Sequence, residues 1–111
     1  AFALRDSLEA LQQAGTALDR VMAVGGGTRS SYWLDVVANA LNRPLDLPQD
    51  GDFGAAFGAA RLGLMAAERA EPEQICTPPR VARSHEPDRQ LVDAFEAGYQ
   101  RYKALYPALT Q

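Results

Sequence analysis

One stretch constrains this chain more than any other. Arg20 leads into Val21-Met22-Ala23-Val24, then Gly25-Gly26-Gly27, then Thr28, Ser30 and Ser31. The apolar run suits a short strand over residues 20–24, covered on both faces. Three glycines allow a sharp turn, and a ligand can approach their backbone without meeting a Cβ atom. Thr28, Ser30 and Ser31 are each competent to cap the helix that follows. A helix start carries unpaired N–H groups and the positive end of a dipole. Strand, glycine turn and helix together therefore make a candidate site for a phosphate-bearing ligand, a nucleotide above all. A tight strand-to-helix turn with no ligand has the same signature, and the turn alone leaves both readings open.

The surrounding pattern alternates helices and strands. Phe2, Leu4, Leu8 and Leu11 share a helical face, with Gly15 placed to end that helix. A second helix is expected from Ser31 to about Leu41, with Trp33, Val37, Ala40 and Leu41 on one side. Asn42 suits a left-handed cap, and Pro44 blocks continuation. Leu45-Asp46-Leu47 reads as a short second strand. A third helix spans about Asp52–Arg69, preceded by Asp50 and Asp52 around Gly51, which favour a turn and complement the helix dipole. Residues Glu71–Pro87 form a long irregular segment with an edge strand near Val81–His85. Asp88 opens a final helix in which Leu91, Phe95, Gly98, Tyr102 and Leu105 repeat with helical period. The order predicts an α/β fold with parallel strands joined by crossover helices. Sheets of this class have about five or six strands, so further strands are expected from a segment N-terminal to Ala1.

Composition sets outer bounds. At 111 residues and 47% hydrophobic, the chain supports one core at most. A net charge of −3 gives no electrostatic case for nucleic acid. No apolar run approaches the ~20 residues that span a bilayer, and no signal peptide is recognisable. Cys76 is the only cysteine and His85 the only histidine, so neither an intrachain disulfide nor a structural zinc site of the usual kind is expected. A reducing cytosol is the simplest setting. Asp19, Asp35, Asp46 and Asp93 read most simply as surface or capping residues. Phe95, Tyr99, Tyr102 and Tyr106 form an aromatic stripe, which packs on the core or serves as a subunit seam.

The third helix carries a second motif, Gly54-Ala-Ala-Phe-Gly58-Ala-Ala-Arg-Leu-Gly63. Glycine inside a helix costs roughly 1 kcal/mol relative to alanine. Its recurrence implies close packing of the helix or close approach of a ligand to its start. Two familiar nucleotide sites fit poorly. A Walker loop needs a Gly-Lys pair that this chain lacks. A dinucleotide fingerprint needs a third glycine where Ser30 stands, although Asp46 lies near where its acidic residue would fall. A Rossmann-like NAD site remains as a minor alternative.

Three segments stand in order along the chain: Val24-Gly-Gly-Gly-Thr-Arg-Ser-Ser-Tyr-Trp33, Gly54-Ala-Ala-Phe-Gly-Ala-Ala-Arg-Leu62 and Arg101-Tyr-Lys-Ala-Leu-Tyr-Pro-Ala-Leu109. The glycine motif alone indicates only the wider group of actin-like ATPases. With all three, the chain resembles the closing part of the C-terminal domain of the FGGY carbohydrate kinases over essentially its whole length. Asp35, Ala38-Asn39 and Asn42 depart from the usual family pattern, but none of them touches the glycine turn.

The resemblance implies a fragment of a ribonuclease H-like, actin-like ATPase domain, with residues 1–111 closing the ATP-binding domain. It implies ATP with Mg2+ as cofactors and a small sugar as partner substrate. The form of the motifs favours conversion of D-xylulose to D-xylulose 5-phosphate. It assigns Gly25, Gly26, Gly27 and Thr28 to the phosphates and Ser31 to the adenosine side. Arg29 is the motif's only cation and reads as a surface residue. The resemblance places the family's catalytic aspartate upstream, outside this segment, which alone should transfer nothing; no residue here is assigned to a metal. A homodimer and a cytoplasmic location are further expectations. The alternative is a non-catalytic nucleotide-binding or interaction module that kept the glycine turn.

Overall fold

The structure, a computed structural model, describes residues 1–49, 51 and 54–109. The turn expected at Asp50 and Asp52 lies outside them. Helix α1 spans Phe2–Gln13. It ends through Gly15 at φ +93°, with Gly15 N–H donating to Gln12 O and Thr16 N–H to Leu11 O, both at 3.0 Å. This paired 5→2 and 6→1 arrangement satisfies carbonyls that a helix end otherwise leaves open. Helix α2, Ser31–Leu41, ends the same way: Asn42 is left-handed (φ 49°), and Arg43 N–H reaches Ala38 O. Both expected caps are in place.

The sheet has three strands in the order β1 (Val21–Met22), β2 (Leu45–Pro48), β3 (Val81–His85). β1 and β2 are parallel, with Val21 opposite Leu45 and Met22 opposite Asp46, and α2 is the crossover between them. β1 is shorter than the apolar run suggests. One more bond, Ala23 N–H to Asp46 O, prolongs the pairing before the chain turns away at Gly25. β3 is the expected edge strand but runs antiparallel to β2, pairing Asp46 with Ser84 and Leu47 with Arg83. The reason is the return path. Helices α3 (Gly54–Glu68) and α4 (Pro72–Ile75) bring the chain back to the end of the sheet it left, where Gln49 N–H bonds Arg80 O. A strand starting there must run backwards along β2.

The core lies between the sheet and the helices. Leu8 of α1, Leu34, Val37, Ala38 and Leu41 of α2, and Leu45 and Leu47 of β2 form one buried cluster. Trp33, expected on the same side, is 41% exposed at its rim. Leu4 and Leu11 are half-exposed and line an open apolar groove of about 550 Å³ beside β1, together with Met22 and Val24. Helix α5, Arg89–Leu109, begins after Asp88, whose carboxylate accepts from Gln90 N–H. It docks on α1 through rings: Phe2 meets Phe95, Tyr99 and Tyr102 at centroid distances of 5.8–6.4 Å. The aromatic stripe is therefore a packing seam where it is described, with Tyr99 the most buried side chain of the set. Gly98 permits this contact, since a Cβ there would sit 3.0 Å from Phe2.

By contrast, α3 has no buried residue among those described. A Cβ at Gly58 or Gly63 would meet nothing, and only Gly54 lies against a neighbour, Val24 at 3.1 Å. Close packing of the small-residue stripe is thus realised within this chain only at its first residue. The radius of gyration is 17.2 Å, against about 13 Å for a compact domain of this length.

The seam between α1 and α5 includes a bond from the Tyr99 hydroxyl to Asp6 Oδ1 at 2.6 Å. Burial, and next the bond to Asp6, push the phenol above its ordinary range. Tyr99→Phe keeps the ring and loses the bond, so stability should fall by about 1–2 kcal/mol. Urea unfolding checks this. The midpoint should drop with the slope unchanged, and an unmoved midpoint would remove the bond from the account of the seam.

Candidate functional site

The glycine turn starts as β1 leaves the sheet. Gly25 holds φ +91°, ψ 179°, a conformation almost confined to glycine. Its N–H donates to Gly51 O at 3.0 Å, and its carbonyl accepts from both Thr28 N–H (3.1 Å) and Thr28 Oγ1 (2.7 Å). Gly26–Arg29 then form a single 3-10 turn. Thr28 is buried and shapes the turn with its hydroxyl. Of the three candidate caps, Ser30 is the one used: its Oγ accepts from Trp33 N–H at 3.2 Å. Ser31 is exposed as the first residue of α2, and Arg29 is exposed at the end of the 3-10 turn.

Gly26 and Gly27 differ from Gly25. Both are exposed, and neither has a left-handed φ. A Cβ on Gly26 would meet nothing, and one on Gly27 would make ordinary contact with Trp33 at 3.6 Å. Among the described residues their N–H groups meet no acceptor. Among the described residues, nothing requires glycine at these two positions. They leave an open pair of amides at the start of a short helix, which is an arrangement suited to an anion.

The structure brings both glycine motifs together. Gly51, bonded to Gly25, itself leaves no room for a Cβ, which would lie 3.0 Å from Pro48. Gly54 opens α3 against Val24. The start of the small-residue helix therefore borders the glycine turn, a proximity that the sequence order does not display.

Two acids read as surface residues are engaged. Asp46 is buried on β2 and held in a fork by Arg20, with Nε to Oδ2 at 2.7 Å and Nη2 to Oδ1 at 2.5 Å. Ser84 Oγ donates to the same Oδ1. The Arg20 guanidinium, with Ser84 assisting, holds the Asp46 carboxyl down to about 2. A dinucleotide site would need this carboxylate for a ribose, and here it is already bound within the sheet. Asp35 of α2 lies 2.6 Å from His85 Nδ1. Sequence reasoning missed Arg20, Arg83, Ser84 and His85 as partners. The available signal was strand alternation, which puts Arg83 and His85 on one face and Ser84 on the other.

Two consequences can be measured. Gly25→Ala forces a side chain into a glycine-only conformation and should cost about 1–3 kcal/mol in urea unfolding, whereas Gly26→Ala should be close to neutral. Equal losses would mean that φ at Gly25 is not the constraint. The second concerns acid. The Asp46 carboxyl is lowered from its ordinary 3.8 to about 2, so its pair stabilises the fold fully above pH 3.8 and loses this as pH falls towards 2. Asp46→Asn should flatten the acid limb of stability in that window; an unchanged acid limb would show that other groups carry it.

Comparison with known proteins shows the family to which the chain belongs. The family model for the C-terminal domain of the FGGY family of carbohydrate kinases matches residues 1–67. The xylulose kinase of Escherichia coli (strain K12) is 34% identical over 110 residues, covering 97% of this chain and 22% of that protein. The xylulose kinase of Bacillus subtilis (strain 168) is 28% identical over 107 residues, covering 95% and 21%. Among solved structures, a xyloylose kinase from Brucella ovis superposes with a TM-score of 0.85 at 61% identity, covering 98% of this chain and 22% of that one. The xylulose kinase from Rhodospirillum rubrum gives 0.74 at 28% identity with the same coverage. This chain thus spans about a fifth of the length of these relatives. It belongs to the FGGY family of carbohydrate kinases, and its fold is part of the ribonuclease H-like, actin-like fold of those enzymes.

Proposed function

We propose that the protein carrying this chain transfers a phosphoryl group from ATP to a sugar, converting D-xylulose to D-xylulose 5-phosphate. Residues 1–111 act as the closing part of its ATP-binding domain. One observation carries the reading: among the described residues, Gly26 and Gly27 present exposed amides with no acceptor, at positions where no neighbour demands glycine. The residue choice makes sense if phosphate oxygens come to rest against that backbone. Similarity to xylulose kinases supports xylulose as the sugar, and the D configuration is part of the proposal.

Each residue then has a limited task. Gly25 sets the exit angle, and Thr28 locks the turn by bonding back to Gly25 O. The amides of Gly26 and Gly27 bind phosphate oxygens, holding the transferred group in line and drawing off its charge. Ser31 lies on the adenosine side, at the exposed start of α2. Amide donors suit phosphate and not a cation, so these residues would hold the phosphates, and Mg2+, carried with ATP, would supply charge neutralisation there. Asp35 and Asp46 are engaged by His85 and by Arg20 with Ser84. The base that accepts the sugar hydroxyl proton is assigned to the rest of the protein. We place the reaction in the cytoplasm.

Coupled ADP release with ATP, Mg2+ and D-xylulose tests the reading in the protein that carries this chain. Release should depend on the sugar. Gly26→Val and Gly27→Val should cut it on the order of 100-fold while leaving the unfolding midpoint close to the parent's. Tight nucleotide binding with no sugar-dependent release would instead indicate a non-catalytic nucleotide-binding module.

A further inference from the structure

The segment after α4 does more than close the sheet. β3 projects Arg83 and His85 from the face that looks towards α2, and each makes a polar contact with the turn-and-helix unit. Arg83 Nη2 donates to Thr28 O at 3.2 Å, at the end of the glycine turn. His85 Nδ1 meets Asp35 Oδ1 at 2.6 Å, one helical turn into α2. Just beyond the strand, Asp88 N–H donates to Asn39 Oδ1 at 2.7 Å. Residues 83, 85 and 88 thus engage residues 28, 35 and 39 in matching order. Only the first contact reaches the turn itself.

We infer that Arg83 is a positioning residue for the phosphate-binding turn, holding the Thr28 carbonyl so that the Gly26 and Gly27 amides stay presented to an anion. This rests on the proposed nucleotide reading. At its start, two sets of bonds converge on Gly25: Gly51 O receives Gly25 N–H, and Gly25 O receives both Thr28 donors. Towards the far end, Ser30 N–H donates to Gly27 O at 3.3 Å and the Arg83 guanidinium holds Thr28 O. A guanidinium on a carbonyl at the C-terminal end of a short helix is favourably placed, because that end carries the negative pole. It also adds a positive charge to the neighbourhood in which phosphate would sit. Arg83 lies outside the residues matched by the family model, which end at 67. The role is therefore assigned by the fold and not by the glycine motif.

The experiment compares Arg83→Ala, Arg83→Lys and His85→Ala in the protein that carries this chain, with ATP, ADP and adenosine as ligands. Arg83→Ala should weaken ATP and ADP about tenfold, the scale of one charge-assisted hydrogen bond. Adenosine, which has no phosphate, should bind as to the parent. Arg83→Lys should recover most of the affinity, since an ammonium can still reach Thr28 O. His85→Ala, which releases α2 away from the turn, should leave ATP affinity close to the parent's. Unchanged ATP affinity in Arg83→Ala, equal loss for adenosine, or equal loss in His85→Ala would overturn the assignment.

Hydrogen exchange separates this failure from that of the nucleotide reading. In Arg83→Ala without ligand, the amides of Thr28 and Ser30 should exchange about fivefold faster, and in His85→Ala they should not. If the parent binds no nucleotide, the function proposed above fails, but this second measurement still decides whether Arg83 holds the turn. Unaltered exchange at Thr28 and Ser30 refutes it.

Discussion

Everything in this structure is referred to β2. Its four residues, Leu45–Pro48, are all buried, and it pairs on both edges. Leu45 and Leu47 face the core formed with α2 and α1, while Asp46 faces the other way. A buried carboxylate is tolerable only when paired and hydrogen-bonded, and Arg20 and Ser84 meet that condition from either side. The same pairing fixes register. A slip of one residue would drive Asp46 into the leucine core and leave Arg20 and Ser84 without their acceptor. The polar cluster therefore specifies how β1 and β3 align, and through them where the glycine turn and Arg83 fall.

The glycine turn is an instance of one motif with two kinds of glycine. Gly25 is there for the backbone of the chain itself, because φ +91° excludes other residues at low cost. Among the described residues, Gly26 and Gly27 have no such internal reason. Their freedom points outward, to whatever approaches the exposed amides. Gly51 and Gly54 supply the walls, the first because Pro48 fills the space of its Cβ and the second because Val24 does. All five of these glycines would be lumped together by composition, yet they answer three different physical demands.

Much of the fold was legible from local chemistry. The ends of α1 and α2 followed from Gly15 and Asn42, the one residue without a Cβ and the other tolerant of the left-handed region. The strand at Leu45, the start of α5 at Asp88 and the edge strand at Val81–His85 were also readable, because each rests on a pattern of a few neighbouring residues. The direction of β3 was not, since it depends on where α3 and α4 return the chain. The roles of Asp35 and Asp46 were not either. An aspartate in isolation is most often a surface residue, and only partners 26 to 50 positions away made these two otherwise.

The sequence by itself determined the strand–glycine turn–helix unit and its caps, since these are carried by contiguous residues and near-neighbour sterics, while three motifs in order along the chain carried the family resemblance and the phosphate contacts expected from it. The tertiary structure alone decided that Gly54 of the second motif borders the turn and that Asp46 is held within the sheet. It also decided that Arg83 reaches Thr28 from a strand 55 positions away. Those contacts depend on the register of β2 and β3, fixed by the buried Asp46 pairing, and on the direction of β3, fixed by the return path through α3 and α4, and neither is carried by a local pattern.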